Sequence, residues 1–248
     1  MKIVAIYNVK GGVGKTTAAV NLAYLAARDG LRTLIWDLDP QAAATFYFRI
    51  KPKIKGGVKR LVHEGKEAGD HVRATDFEHL DMLPADLSYR KMELTLSSEK
   101  KPDRLIARIV KPLATEYDAL FIDCPPSISL VTESVFARAD ALLVPVVPTT
   151  LSLRTLAQLD EVMAALSTRK PLVLPFFSMV DNRKALHKQI AGQRRHGAHD
   201  FLASAIPCAS SVERMGVERN PLCVFARTSA AAKAFQQLWS ELRARLGC

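Results

Sequence analysis

Eight residues near the N-terminus, Lys10-Gly11-Gly12-Val13-Gly14-Lys15-Thr16-Thr17, constrain this chain more than any other segment. They lie between an apolar run over residues 3–9, which reads as a buried strand, and residues 18–27, whose apolar positions recur at helical spacing and stop at Gly30. A glycine-rich turn joining a strand to a helix N-terminus aims successive backbone N–H groups and the helix dipole at one point, which makes an anion site. In that setting Lys15 is expected to reach the β- and γ-phosphates of a nucleotide, and the Thr16 hydroxyl to ligate Mg²⁺. The segment departs from the general G-x-x-x-x-G-K-[ST] pattern at its start, where Val9 replaces the first glycine and an additional cation, Lys10, stands beside it.

The rest of the chain repeats the alternation. Residues 31–38, 118–123, 141–147 and 172–179 are short apolar runs bounded by Pro, Asp or Ser, while 102–116, 129–138, 151–168 and 230–246 carry helical periodicity. Pro112 is expected to kink or end the first of these helices. The pattern predicts an α/β fold, a mostly parallel twisted sheet with helices on both faces. At 248 residues, 48% hydrophobic and 24% charged, the chain suits a single domain over 1–248 and is unlike disordered, collagenous or coiled-coil sequences.

Cys124, Cys208, Cys223 and Cys248 lie far apart without a C-x-x-C pair, so neither a disulfide framework nor a metal site is expected and a reducing cytoplasm suits them. The six histidines (63, 71, 79, 187, 196 and 199) show no ligand spacing and read as surface or packing residues. No run reaches membrane-span length, and no secretory signal is visible. Residues 49–76, where Arg49, Lys51, Lys53, Lys55, Lys59 and Arg60 crowd around a proline and two glycines, read as an exposed loop with a short helix. In the last helix Phe235, Leu238, Trp239, Leu242 and Leu246 share one face, which reads as core-facing.

Three acids follow predicted strands. Ligands bind beyond the carboxyl ends of parallel strands, so Asp37, Asp39 and Asp123 are expected to converge beside the glycine loop. A strand-end aspartate also serves as a helix cap, and for Asp37 that alternative stays open. The glycine loop, Asp37-Leu38-Asp39-Pro40-Gln41, Phe121-Ile122-Asp123-Cys124-Pro125-Pro126-Ser127 and Met179-Val180-Asp181-Asn182-Arg183 together resemble the motifs of the ParA/MinD family of deviant Walker A ATPases. The D-x-D-P-Q and D-C-P-P-S forms are more similar to its ParA branch, and to Soj-like members without an N-terminal DNA-binding domain.

The resemblance implies a P-loop NTPase fold and an ATPase, slow and partner-stimulated, with ATP and Mg²⁺ as cofactors. It implies that Gly11, Gly12, Val13, Gly14, Lys15, Thr16 and Thr17 wrap the phosphates and that Asp39 orients the attacking water. Asp123 would hold the metal through water, with Thr16 as ligand and Asp37 supporting the metal shell. Lys10 would cross a nucleotide-sandwich homodimer to the partner subunit's ATP, and the base would be held near Met179, Asp181 and Pro207.

Charge points to the partner. Residues 151–248 carry 14 Lys/Arg against 7 Asp/Glu, whereas residues 1–150 carry 21 against 18. Residues 182–199 contain no acid but include Arg183, Lys184, Lys188, Arg194 and Arg195, and Arg214, Arg219 and Arg227 follow. Such a cluster suits DNA phosphates without sequence preference, and it is also what a solvated helix face looks like. The family carries arginines after its I-P dipeptide and before its last helix, where this chain has Ser211 and Ser229, although Arg227 fits. The expected function is an ATP-dependent dimerising switch on nucleoid DNA that positions a plasmid, chromosome origin or large assembly through a ParB-like or other adaptor, with no membrane step. Because the first strand begins at residue 2, operator-specific repression through an extra N-terminal domain is not expected. A MinD-like membrane-cycling ATPase and a metabolic P-loop enzyme are the alternatives.

Overall fold

In this computed structural model, which describes residues 1–63, 65–99, 104–166 and 169–247, the five apolar runs become strands and five further strands form among the described residues. They are β1 (Lys2–Ile6), β2 (Thr33–Asp37), β3 (Arg73–Ala74), β4 (Leu80–Leu83), β5 (Ala119–Asp123), β6 (Ala141–Val146), β7 (Leu172–Val180), β8 (Arg195–His196), β9 (His199–Asp200) and β10 (Ala205–Pro207). Eight form one sheet in the order β10-β7-β6-β1-β5-β2-β4-β3, parallel except at the β3–β4 edge, and β8 and β9 form a small hairpin. The sheet is α/β of the expected kind, because alternate residues of each central strand enter different cores. Ile3, Ala5 and Tyr7 pack on one face with Trp36 and Phe136. Val4 and Ile6 pack on the other with the helices Lys15–Arg28 and Ala230–Leu246.

Several boundaries follow from local chemistry. The first helix starts at Lys15, inside the glycine loop, and ends before Gly30, whose φ of 90° lets the Gly30 and Leu31 N–H groups return to Ala27 and Ala26 carbonyls. Pro112 ends the helix Leu105–Val110 by opening a 3₁₀ turn over Lys111–Leu113. Residues 102 and 103 of the helix expected over 102–116, residues 167 and 168 of that expected over 151–168, and Cys248 lie outside the described residues. In the last helix Phe235, Leu238, Trp239 and Leu242 are buried as expected. Cys124, Cys208 and Cys223 are free.

Two expectations are corrected. Residues 49–76 are not simply an exposed loop with one short helix: besides the helix Gly57–His63 they hold a 3₁₀ helix, Gly65–His71, and β3, and Ile54, Val58, Leu61, Val62 and Ala68 are buried. Strand β4 was not expected, since Asp81 and the following Pro84 break its apolar run, yet it pairs in parallel with β2 from Thr33↔Leu80 to Trp36↔Leu83.

The last helix is tied to the sheet by Trp239, which is 2% exposed and tilted against Phe121 at 6.1 Å between ring centroids, while its indole N–H donates to Asp29 at 2.9 Å. Trp239→Ala is expected to lower unfolding free energy by about 3–5 kcal/mol, measured by urea denaturation. A loss under about 1 kcal/mol would mean that the helix is not part of the core.

Candidate nucleotide site

The site is assembled by strand register. β5 lies between β1 and β2, with Ile6 opposite Asp123 and Asp37 opposite Asp123. Side chains in register on adjacent strands share a face, so the two carboxylates stand side by side where the chain leaves β1 for the glycine loop. The loop needs its glycines: Gly12 and Gly14 have φ of 70° and 93°, and a Cβ on Gly14 would lie 2.9 Å from Ser178 Oγ. Gly14 then leads directly into the helix Lys15–Arg28.

A cleft of about 470 Å³ opens over the loop. It is lined by Gly11, Gly12, Gly14, Lys15, Thr16 and Thr17, by Asp39, Gln41 and Tyr47 from the segment after β2, and by Met179, Ile206 and Pro207 from the ends of β7 and β10. Val13 is buried and Lys10 half-buried, and neither lines the cleft. Asp181 does not line it either: its carboxylate is clasped by Arg183 through two bonds of 2.9 Å, which hold it well below the usual carboxylate range. Of the base-site expectations, then, Met179 and Pro207 meet the cleft and Asp181 faces Arg183.

The two lysines of the loop diverge. Lys15 is 6% exposed and its Nζ donates to the Lys10 carbonyl at 2.9 Å. Burial pulls its pKa down, with Asp123 and Asp39 acting the other way. Lys10 instead reaches Ser152 Oγ at 3.5 Å, and its own N–H is held by Asn8 Oδ1 at 3.0 Å.

The acids differ in how they are satisfied. Asp37 is fully buried but well held, accepting from the Thr45 N–H at 2.8 Å, the Thr45 hydroxyl at 2.7 Å and the Asp39 N–H at 3.2 Å. Its pKa still rises to about 6, because burial outweighs those bonds. Asp39, half-buried, accepts the Gln41 N–H at 2.9 Å. Asp123 is 1% exposed, and neither carboxylate oxygen is hydrogen-bonded among the described residues. Burial first and the Asp37 charge second push its pKa far up, opposed by the nearby Thr16 hydroxyl and by the Lys15 charge. An orphaned buried carboxylate beside a threonine at a phosphate cradle fits a hydrated Mg²⁺. Thr16 and Asp123 are the residues that would hold the metal, and Asp37, occupied by Thr45, stands beside Asp123 in strand register.

Sequence reasoning missed three residues here. Thr45 is a lone polar residue in an apolar stretch and anchors Asp37; its hydroxyl also accepts from the Ala85 N–H at 2.9 Å. Asn21, buried in the first helix, donates to the Thr17 carbonyl and accepts the Leu222 N–H, both at 2.8 Å. Ser152 receives Lys10.

The eight candidate cations fall into groups. Arg183, Arg195 and Arg214 face Asp181, Asp200 and Glu218. Lys184, Lys188 and Arg194 are exposed and without an ion pair among the described residues. Arg219 donates to the Phe46 carbonyl at 3.0 Å with its guanidinium 4.4 Å from the Phe46 ring centroid, and Arg227 donates to the Cys223 carbonyl at 3.0 Å. Ser229 caps the last helix, accepting from the Ala232 N–H at 3.1 Å.

Comparison with known proteins agrees with this geometry. Residues 1–173 match a family described as an AAA domain. Over 249 residues the chain is 33% identical to the chromosome-partitioning ATPase Soj of Thermus thermophilus, covering 98% of this chain and 96% of that protein. It is 29% identical to the sporulation initiation inhibitor protein Soj of Bacillus subtilis, covering 98% of each. Its fold matches an ATP complex of a Cyanothece McdA variant with a TM-score of 0.80 at 21% identity, over 100% of this chain and 96% of that one. It also matches cobyrinic acid a,c-diamide synthase from Mycobacterium smegmatis with bound ATP analogue and magnesium, at 0.80 and 24% identity, over 99% and 95%. The chain belongs to the ParA/MinD family of deviant Walker A ATPases. ATP and Mg²⁺ are the cofactors that go with that membership and with this cradle.

Replacing Asp123 separates fold from site. Asp123→Asn removes a buried carboxyl group whose ionisation the fold opposes, so the melting temperature of the nucleotide-free variant should fall less than the wild type's as pH is raised. It should also abolish the rise in melting temperature that Mg²⁺ with ATP gives the wild type. A variant with the Mg²⁺–ATP shift intact would remove Asp123 from the metal site.

Proposed function

We propose that this chain, acting as one ATPase domain over 1–248, is an ATP-dependent dimerising switch. It binds DNA without sequence preference, positions a cargo through an adaptor protein, and is reset by hydrolysis. The observation that carries this reading is the divergence of the two loop lysines. Lys15 turns inward over the cradle, whereas Lys10 stays outside the cleft with its ammonium on Ser152. A cation that does not serve its own cradle is suited to a nucleotide presented by a second copy. The 33% identity to a chromosome-partitioning ATPase along nearly the whole chain supports the same function.

The chemistry asks for position and charge. Backbone N–H groups of the glycine loop and Lys15 bind the β- and γ-phosphates, Asp39 orients the attacking water, and Lys10 from the partner adds charge as the γ-phosphoryl departs. Thr16, and Asp123 through water, would hold Mg²⁺, which would supply positive charge against the phosphates when bound. The base lies against Met179 and Pro207, with Asp181 outside that contact. Phosphate-facing cations on the exterior are drawn from Arg183, Lys184, Lys188, Arg194, Arg195, Arg214, Arg219 and Arg227, on a cytoplasmic protein associated with the nucleoid. A membrane-cycling role would need a free amphipathic face, and the last helix spends its own in the core. Among the described residues no helix is long and apolar enough to cross a membrane.

Two substitutions test the switch. Asp39→Ala should keep ATP bound, stop phosphate release and accumulate dimer, while Lys15→Ala should lose both ATP affinity and dimerisation. Nucleotide retention and size exclusion with ATP distinguish them; normal turnover by the first or an ATP-dependent dimer of the second would overturn the roles given.

DNA binding should need ATP, ignore sequence and fall steeply as salt rises. Removing Lys188, Arg194 and Arg195 together, each to Ala, should reduce the salt slope by about one unit per lost contact and leave dimerisation intact. Unchanged binding would take these three residues out of the interface.

A further inference from the structure

The basic run at 49–60 is used neither by the nucleotide site nor by the C-terminal cations. Between Asp39 and Glu64 the chain has no acid and six fixed cations, Arg49, Lys51, Lys53, Lys55, Lys59 and Arg60. The fold nevertheless holds this run in a defined shape. Ile54 and Val58 are buried; the Ile54 N–H donates to Asp86 Oδ2 at 2.8 Å and the Val58 N–H to Ser88 Oγ at 2.7 Å. Backbone bonds from Lys53 to Lys51 at 2.8 Å and from Gly57 to Ile54 at 3.0 Å close two tight turns.

With the apolar side chains pinned inward, Lys51, Lys53, Lys55 and Lys59 all face solvent. The acids that meet the run are already engaged. Asp86 accepts from Ile54 and Ser88 and lies near Lys53, and Asp76 is taken by Arg49. Lys51, Lys55 and Lys59 have no ion pair among the described residues. An anchored loop that projects like charges repels itself, and a polyanion relieves that repulsion while releasing its own counterions.

The run is also continuous with the C-terminal cations. Arg49 donates to the carbonyl of Arg219, and Arg219 stacks on Phe46. We infer that Lys51, Lys53, Lys55 and Lys59 form a second phosphate-contacting strip for duplex DNA, adjoining Arg219. This rests on the DNA-binding reading given above. Duplex DNA fits better than an anionic bilayer because the run's aliphatic side chains turn inward: Ile54 and Val58 are buried, and Ile50, half-buried, packs against the core.

The test is a salt series of random-sequence duplex binding with ATP and Mg²⁺, read by fluorescence anisotropy. It compares wild type with a variant carrying Lys51→Gln, Lys53→Gln, Lys55→Gln and Lys59→Gln, and with one carrying Arg at the same four positions. The Gln variant should bind more weakly, with a log–log salt slope flatter by about 0.9 per lysine in contact and at most about 3.6. The Arg variant should keep the wild-type slope, and DNA-free hydrolysis and ATP-dependent dimerisation should be unchanged in both. A Gln variant with the wild-type slope overturns the strip and leaves the DNA reading standing. A wild type that fails to bind duplex with ATP overturns both. Loss of binding to phosphatidylglycerol vesicles with duplex binding intact assigns the strip to lipid and overturns the inference.

Discussion

Asp37 and Asp123 stand side by side because β5 pairs in register with β1 and β2, and much of the remaining architecture makes that placement sustainable. Two carboxylates in a dry crevice repel each other, and each carries a desolvation cost of several kcal/mol in order-of-magnitude terms. Thr45 offsets the cost at Asp37 with two hydrogen bonds, which is why the helix Ala43–Tyr47 sits where it does. No described residue hydrogen-bonds Asp123 in that way. Among the described residues the fold therefore leaves the Asp123 carboxylate unsatisfied at the position where the proposed function puts a cation and a polyphosphate. The folded state gains whatever that ligand's binding supplies, because the unfolded chain has no such arrangement to offer.

The sequence made the loop and the strand ends legible because their constraints are local. A glycine turn between a strand and a helix has few other uses, and Gly14 shows why: its φ and the nearness of Ser178 exclude a Cβ. The central strands were legible as apolar runs buried on both faces. Contributions that depend on register or on distant chain were not. That Asp37 and Asp123 face each other is a property of β5 lying between β1 and β2. Thr45 acquires its role only when the chain folds back eight residues after Asp37. Strand β4 is four residues long and carries Asp81, so alternation gave it no distinction from a loop. The run at 49–76 was masked by its lysines, which drew attention to charge although Ile54, Val58, Leu61 and Val62 were already spaced to bury.

The elements that would sense a nucleotide and those that carry exterior charge are joined through few, specific bonds. Asn21 in the first helix holds Leu222 at one end of the segment that follows β10 and touches Met215 at 3.4 Å. Phe46, one residue beyond Thr45, holds Arg219 through its carbonyl and its ring. Arg219 adopts φ of 47° as a non-glycine residue, a conformation that persists only where surrounding contacts over-determine it. Arg49, with φ of 60°, is fixed in the same way by Asp76 and the Arg219 carbonyl. The helix Ala43–Tyr47 thus has Asp37 bound at Thr45 and an exterior arginine bound at Phe46. Any displacement of that helix must either carry Arg219 with it or break a carbonyl bond and a cation–π contact together.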